Sequence, residues 1–312
     1  MSIHKERFNE SLKEVNSPSS QTSSGTTSDL PDNYKIINGS DRDYVIPGDS
    51  EEITRMEMFH YTNFNAPVED MLDQGGIILD LWGRTVDYGA LIALLHLTPS
   101  FAKPSEMAKS YPKSSFVGID KEDSFPASEI PRNCIFQIAD LLKGLPFKDN
   151  TFDYVYSRGM FSYFSIVEWQ QVVEELRRVT KPGGYVELVE FRPLLNRLGP
   201  YSSKLQNAFV TFIQARGGDV HNIPEKLGDY LAGFDDLTTD YVSTPIGWRG
   251  RIGHLNLQNM EFTYMALKLP LCKFMGWTEE EYDVIKQNAL TEPSEHKTWG
   301  NIFYAFGMKL LD

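Results

Sequence analysis

Three aspartates, Asp80, Asp120 and Asp140, close runs of apolar residues: Ile77-Ile78-Leu79, then Phe116-Val117-Gly118-Ile119, then Ile135, Phe136 and Ile138. An acid at the carboxyl end of a buried strand places a carboxylate on the rim of a sheet. There it can accept hydrogen bonds from both hydroxyls of a sugar such as ribose. Taken alone, each aspartate also has an ordinary role as a strand-end cap or a solvated turn residue. Their occurrence together, in order, points to a nucleotide-like ligand. Ser157 and Arg158 follow a fourth apolar run, and Glu190 closes a fifth.

Positioning these groups requires alternating strands and helices. Lys148-Asp149-Asn150 turns the chain into the strand Phe152 to Tyr156. A helical pattern then ends at Lys181-Pro182-Gly183-Gly184, and Tyr185 to Glu190 follows as a strand. With Phe234 to Val242 and Asn301 to Met308 there are seven strand candidates, which predicts an α/β fold with a doubly wound, mostly parallel sheet. Upstream, Ser50 can cap a helix carrying Glu51 and Glu52 in its first turn and running through Ile53, Met56, Phe59 and His60. A short helix is expected between Ala66-Pro67-Val68 and Gly75-Gly76. Helices are also expected from Tyr201 to about Gly217, from Pro224 to Leu231, and over Arg251 to Leu267 and Glu279 to Asn288, the last two flanking Pro270. Residues 1–43, including Ser17 to Ser28, offer too little apolar surface to offset the entropy of ordering and read as a disordered Ser/Thr-rich tail. Residues 44–312 read as one domain, with its core at about 66–192 and a helical cap with closing strands at about 193–312.

The composition narrows the function. The 312 residues carry a net charge of -13, which disfavours a nucleic-acid backbone or an anionic membrane as the main partner. Cys134 and Cys272 stand apart, and the six histidines show no ligand spacing, so no metal site is expected and a reducing compartment is. The N-terminus, MSIHKERFNESLKEV, lacks an apolar core, and the longest apolar stretch, Ala90 to Leu97, is shorter than the ~20 residues of a membrane span. A soluble cytoplasmic or nuclear protein is expected.

The stretch from Cys134 to Glu190 resembles the second half of a class I S-adenosylmethionine-dependent methyltransferase. The likeness extends to a fungal branch of that family through Ile46-Pro47, Asn65-Ala66-Pro67-Val68, Gly144-Leu145-Pro146-Phe147, Tyr185-Val186-Glu187 and Tyr304-Ala305-Phe306-Gly307. The resemblance implies a Rossmann-like fold and S-adenosylmethionine as cofactor. It gives Asp120, with Lys121 beside it, to the ribose, and Asp140 with the backbone of Leu141 to the adenine. Asp80, Ser157 and Tyr61 complete the implied cofactor contacts. The implied acceptor is a small molecule, or less favourably a protein. Methyl transfer from a sulfonium depends mainly on in-line positioning, and a base matters when the acceptor is a hydroxyl or a protonated amine. Tyr61, Ser157, Arg158 and Glu190 are candidates, but each also has an ordinary structural use, so no catalytic residue is assigned. Met and aromatic residues from Met260 to Trp277 are expected in the core, with an acceptor pocket as the alternative. A nicotinamide-dependent dehydrogenase is disfavoured because no G-x-G-x-x-G follows any strand.

The sequence departs from the family after Asp80. In place of a glycine-rich turn it reads Leu81-Trp82-Gly83-Arg84-Thr85-Val86-Asp87-Tyr88-Gly89, and the spacing from Asp80 to Asp120 is twice the ~20 residues expected in comparable nucleotide folds. Three explanations stand side by side: a true insertion that still binds cofactor, a catalytically silent relative acting as a binding or regulatory partner, and a shifted reading frame in an active enzyme's gene. With permitted codons, the stretch from Asp80 to Gly89 read one base later gives I-C-G-A-G-P-W-T-M, which contains the missing turn. Transcript sequencing across this window distinguishes the third, since an in-frame match to the chain as given would eliminate it.

Overall fold

The computed structural model describes residues 30–35, 65–81, 107–121, 130–160, 164–216, 218, 220, 222 and 224–311. The expected helix at 50–60, Tyr61 and all but the first residue of the 81–103 stretch lie outside them. The chain divides into two units, Met1–Tyr34 and Lys35–Asp312. In the first, a turn is closed by Tyr34 N–H donating to the Pro31 carbonyl at 3.1 Å.

The second unit is built on a seven-stranded sheet. In chain order its elements are α1 (Glu69–Gln74), β1 (Ile77–Leu81), β2 (Ser115–Asp120), β3 (Cys134–Ile138), β4 (Phe152–Arg158), α2 (Ile166–Val179), β5 (Thr180–Asn196), α3 (Pro200–Gln214), α4 (Leu227–Tyr230), β6 (Asp235–Pro245), α5 (Gly250–Met275), α6 (Glu279–His296) and β7 (Trp299–Met308). The strand order is β3-β2-β1-β4-β5-β7-β6. Strands β1 to β5 pair in parallel, and β7 runs antiparallel between β5 and β6. Strand order reverses between β1 and β4, which opens a crevice outside their carboxyl ends.

Alternation along each strand sorts the core into two layers. On one face Ile78, Phe116, Tyr154, Tyr156, Val189 and Phe306 pack with Val68 and Leu72 at α1. On the other Leu79, Val117, Val155, Val186 and Leu188 pack with Trp169, Val172 and Leu176 of α2 and with the helices of the cap. Helix α2 starts at a capping box: Glu168 N–H donates to Ser165 Oγ while Ser165 N–H donates to Glu168 Oε2. The glycine pair near the start of β5 is required by geometry. Gly183 has φ 76°, and a Cβ on Gly184 would come within 2.8 Å of the Asp153 carbonyl oxygen.

Two expectations are corrected in the cap. Pro270 does not separate two helices; α5 runs through it to Met275. A proline inside a helix costs about 3 kcal/mol, but burial of Leu267, Leu271 and Cys272 on both sides of it opposes a break. Likewise α6 continues past Asn288 and through Pro293 to His296, because Ala289, Glu292 and Pro293 are buried against the cap. Strand β5 is also longer than expected, pairing with β7 from Tyr185 as far as Asn196.

The outer edge of the sheet is covered in part by residue 35. Ser243 N–H of β6 donates to the Lys35 carbonyl at 2.9 Å, Lys35 N–H donates to Ser243 Oγ at 3.0 Å, and the Lys35 ammonium pairs with Asp240.

Candidate active site

The carboxyl ends of β1 to β5 bring most of the singled-out residues to one rim. Asp80 stands opposite Gly118 of β2 and Tyr156 of β4, and Tyr156 stands opposite Glu187 of β5. Strand alternation puts Asp80, Tyr156, Arg158 and Glu187 on the same face as α1. Asp80 is 7 % exposed and Asp120 is 1 % exposed, so both carboxylates belong to the protein interior and not to solvated turns. Asp120 ends β2, and its carbonyl accepts from Ala139 N–H at 2.8 Å, fastening the ends of β2 and β3 together.

Asp140 has the local role available to any strand-end aspartate. Its Oδ1 accepts from Leu142 N–H at 3.1 Å, capping the 3-10 turn Leu141–Lys143, and its Oδ2 lies 3.8 Å from Lys121 Nζ and 3.6 Å from Lys143 Nζ. Lys121 thus reaches toward Asp140 from the end of β2, with its side chain largely in solvent. Leu141 is half-buried against the core. Ser157 is buried, opposite Leu81 and Leu188, and points to the other face of the sheet from Arg158. Tyr61 lies outside the described residues.

Arg158 ends β4 with its guanidinium carbon 4.4 Å from the centroid of the Tyr156 ring. Burial lowers its pKa, and the charges of Asp80, Tyr154 and Glu187 oppose that shift without overcoming it. Glu190 is buried, and its Oε1 accepts from Met160 N–H at 2.7 Å, so it holds the chain that leaves β4.

Glu187 enters the sequence reading only as part of the Tyr185-Val186-Glu187 likeness and without a site role, yet it accepts four hydrogen bonds close to the rim. It accepts from Asn65 N–H at 3.2 Å, Asn65 Nδ2 at 2.9 Å, Ala66 N–H at 3.0 Å and Tyr154 Oη at 2.9 Å. Burial drives its carboxyl above the usual range, against the pull of those donors. Burial, then the Glu187 charge, drives the Tyr154 phenol well above its ordinary value. The available signal was a lone acid inside the apolar run Tyr185 to Val189, since a charge in a fully buried strand requires partners.

Among the described residues no group of His, Cys, Asp and Glu is arranged to hold a metal ion, and no helix is long and apolar enough to cross a membrane.

A family model described as a methyltransferase domain matches residues 102–188, from before β2 into β5. The match leaves out β1 and the unusual stretch that follows Asp80. The chain is 30% identical over 167 residues to the N-methyltransferase verN of Clonostachys rogersoniana, covering 49% of this chain and 53% of that protein. It is 27% identical over 213 residues to the secondary metabolism regulator laeA of Coprinopsis cinerea, covering 62% of this chain and 52% of that one. It is 24% identical over 271 residues to the methyltransferase pytC of Aspergillus terreus, covering 80% and 77%. The chain spans about half the length of the first two relatives. Residues 102–188 are thus similar to a methyltransferase domain, and they lie within the β3-β2-β1-β4-β5-β7-β6 sheet with buried acids at its strand ends.

Proposed function

We propose that the chain is an S-adenosylmethionine-dependent methyltransferase that methylates a small molecule. The observation that carries this reading is the buried Asp120 carboxylate at the carboxyl end of β2, one strand from the point where strand order reverses. Its chemistry fits the cofactor: a carboxylate accepts from both hydroxyls of a ribose, and the 3-10 turn at Leu141 offers backbone groups beside it for a purine edge. The cofactor supplies a methyl group already activated on a sulfonium. The protein's share is then to bind, orient and exclude water, the tasks for which a rim of buried side chains on a rigid sheet is suited. The N-methyltransferase verN and the methyltransferase pytC, both from fungi, support a transferase reading for this chain.

Calorimetric titration with S-adenosylmethionine, repeated on Asp120→Ala, tests the reading. Binding that the substitution abolishes supports it and makes a screen of labelled methyl transfer to small amines and alcohols the next step. Absence of binding to the native chain would overturn it.

A further inference from the structure

Glu187 lies in the middle of β5, 0 % exposed, between the tyrosine pair of β4 and the aromatic side chains of β7. The sheet does not need a charge there. Its cross-strand neighbours are Tyr156 and Phe306, and an apolar residue would fill the position without the several kcal/mol that desolvating a carboxylate costs. What an apolar residue could not do is accept hydrogen bonds from the chain 121 and 122 positions earlier. Two consecutive backbone N–H groups, those of Asn65 and Ala66, converge on this one side chain, and the Asn65 amide adds a third donor. Tyr154 Oη supplies the fourth from the neighbouring strand and fixes the carboxylate plane.

The place that is held matters. Asp80, Tyr156 and Glu187 lie in one row across β1, β4 and β5, on the face toward α1, with adjacent strands ~4.8 Å apart. Asn65 and Ala66 are therefore fastened beside the crevice where strand order reverses. Immediately after them Pro67 restricts the backbone, and α1 begins at Glu69 with no side-chain cap of its own. The start of this segment is fixed from outside, by β5, and not by its own capping.

We propose that Glu187 is a positioning residue: it clasps Asn65 and Ala66 to the sheet and so forms the wall of the cofactor crevice above β4 and β5. The inference rests on the cofactor reading given above. It assigns Glu187 no contact with the cofactor and no proton transfer; it acts through the backbone it holds.

The experiment pairs amide exchange at residues 65–72 with the affinity of the full chain for S-adenosylmethionine, in Glu187→Ala, Glu187→Gln and Asn65→Ala. Glu187→Ala is expected to speed exchange at Asn65 and Ala66 and to weaken cofactor binding about tenfold, the effect of leaving the crevice wall only partly populated in its binding-competent position. Glu187→Gln keeps an acceptor oxygen and is expected to restore most of the affinity, a rescue that general loss of packing would not show. Asn65→Ala removes one donor from the other side and is expected to produce a smaller change of the same sign; it decides the matter if Glu187→Ala does not fold. Fast exchange with unchanged affinity would overturn the positioning role, and unchanged exchange would overturn the clasp. A native chain that binds no cofactor would defeat the proposed function, while the exchange measurements would still report on the clasp.

Discussion

Glu292, near the end of α6, caps the start of α3: its Oε2 accepts from Ser202 N–H at 2.8 Å, and its Oε1 accepts from Tyr201 N–H at 2.9 Å. The carboxylate satisfies two of the N–H groups that a helix leaves unpaired at its N-terminus. Gly199 precedes it because a Cβ there would come within 2.3 Å of the Glu292 carboxyl carbon.

This cap has a pH signature. Burial alone pushes the Glu292 carboxyl upward, but the N–H groups of Ser202 and Tyr201, then Ser202 Oγ and the His296 charge, outweigh it and hold it below its ordinary value of 4.5. A carboxyl depressed in the folded state stabilises the fold above the unfolded pKa and loses that contribution as pH falls through the folded one. Urea midpoints should therefore fall below about pH 4.5 in the native chain. In Glu292→Gln that part of the decline should disappear, with a loss of about 1 kcal/mol at neutral pH. Parallel pH profiles for the two proteins would contradict the assignment.

Arg178 fastens the Gly144 to Asp149 stretch to α2. Its Nε and Nη2 form a fork on Glu175 at 2.8 and 2.6 Å, while Nη1 reaches the Phe147 carbonyl and Asp149, and Nη2 also reaches the Leu145 carbonyl. A lysine carries the charge but cannot reproduce the planar fork. Arg178→Lys should lower stability by about 1 kcal/mol, because solvent screens the partly exposed guanidinium. Thermal unfolding measures it, and no change would mean that charge alone suffices.

Trp169 is fully buried between Phe164 and Tyr230, with ring centroids 5.8 Å away in each case, and its indole N–H has no hydrogen-bond partner among the described residues. Trp169→Phe removes that donor along with some packing area, so the two effects oppose each other and the net loss should stay near 1 kcal/mol. Trp169→Ala should cost about 3–5 kcal/mol. A loss in Trp169→Phe of about 2–3 kcal/mol would show that the indole N–H is hydrogen-bonded in the native protein.

The strands that form the rim were legible because each is a short apolar run stopped by an acid or a turn. Asp80 and Asp120 fall where such runs predict, buried at the ends of parallel strands. The continuity of α5 through Pro270 was not legible, since local propensity argues for a break and the burial that prevents one comes from helices elsewhere in the chain. Glu187 was missed for a similar reason. Its partners Asn65 and Ala66 are more than a hundred residues away, and only the sheet register brings them together. The double occupation of Asp140, by a turn amide and two lysines, likewise depends on the fold around it.

The attachment of Lys35 to β6 has a practical consequence for anyone trimming the chain. On an edge strand, Tyr241 N–H is taken by Asp240, Ser243 N–H by the Lys35 carbonyl, and Pro245 has no N–H to offer. Residue 35 thus stops a stretch of open edge that would otherwise recruit another molecule's strand. A protein begun at residue 44 would lose this guard and should self-associate with rising concentration, whereas one begun at residue 30 should remain monodisperse at the same concentrations in light scattering.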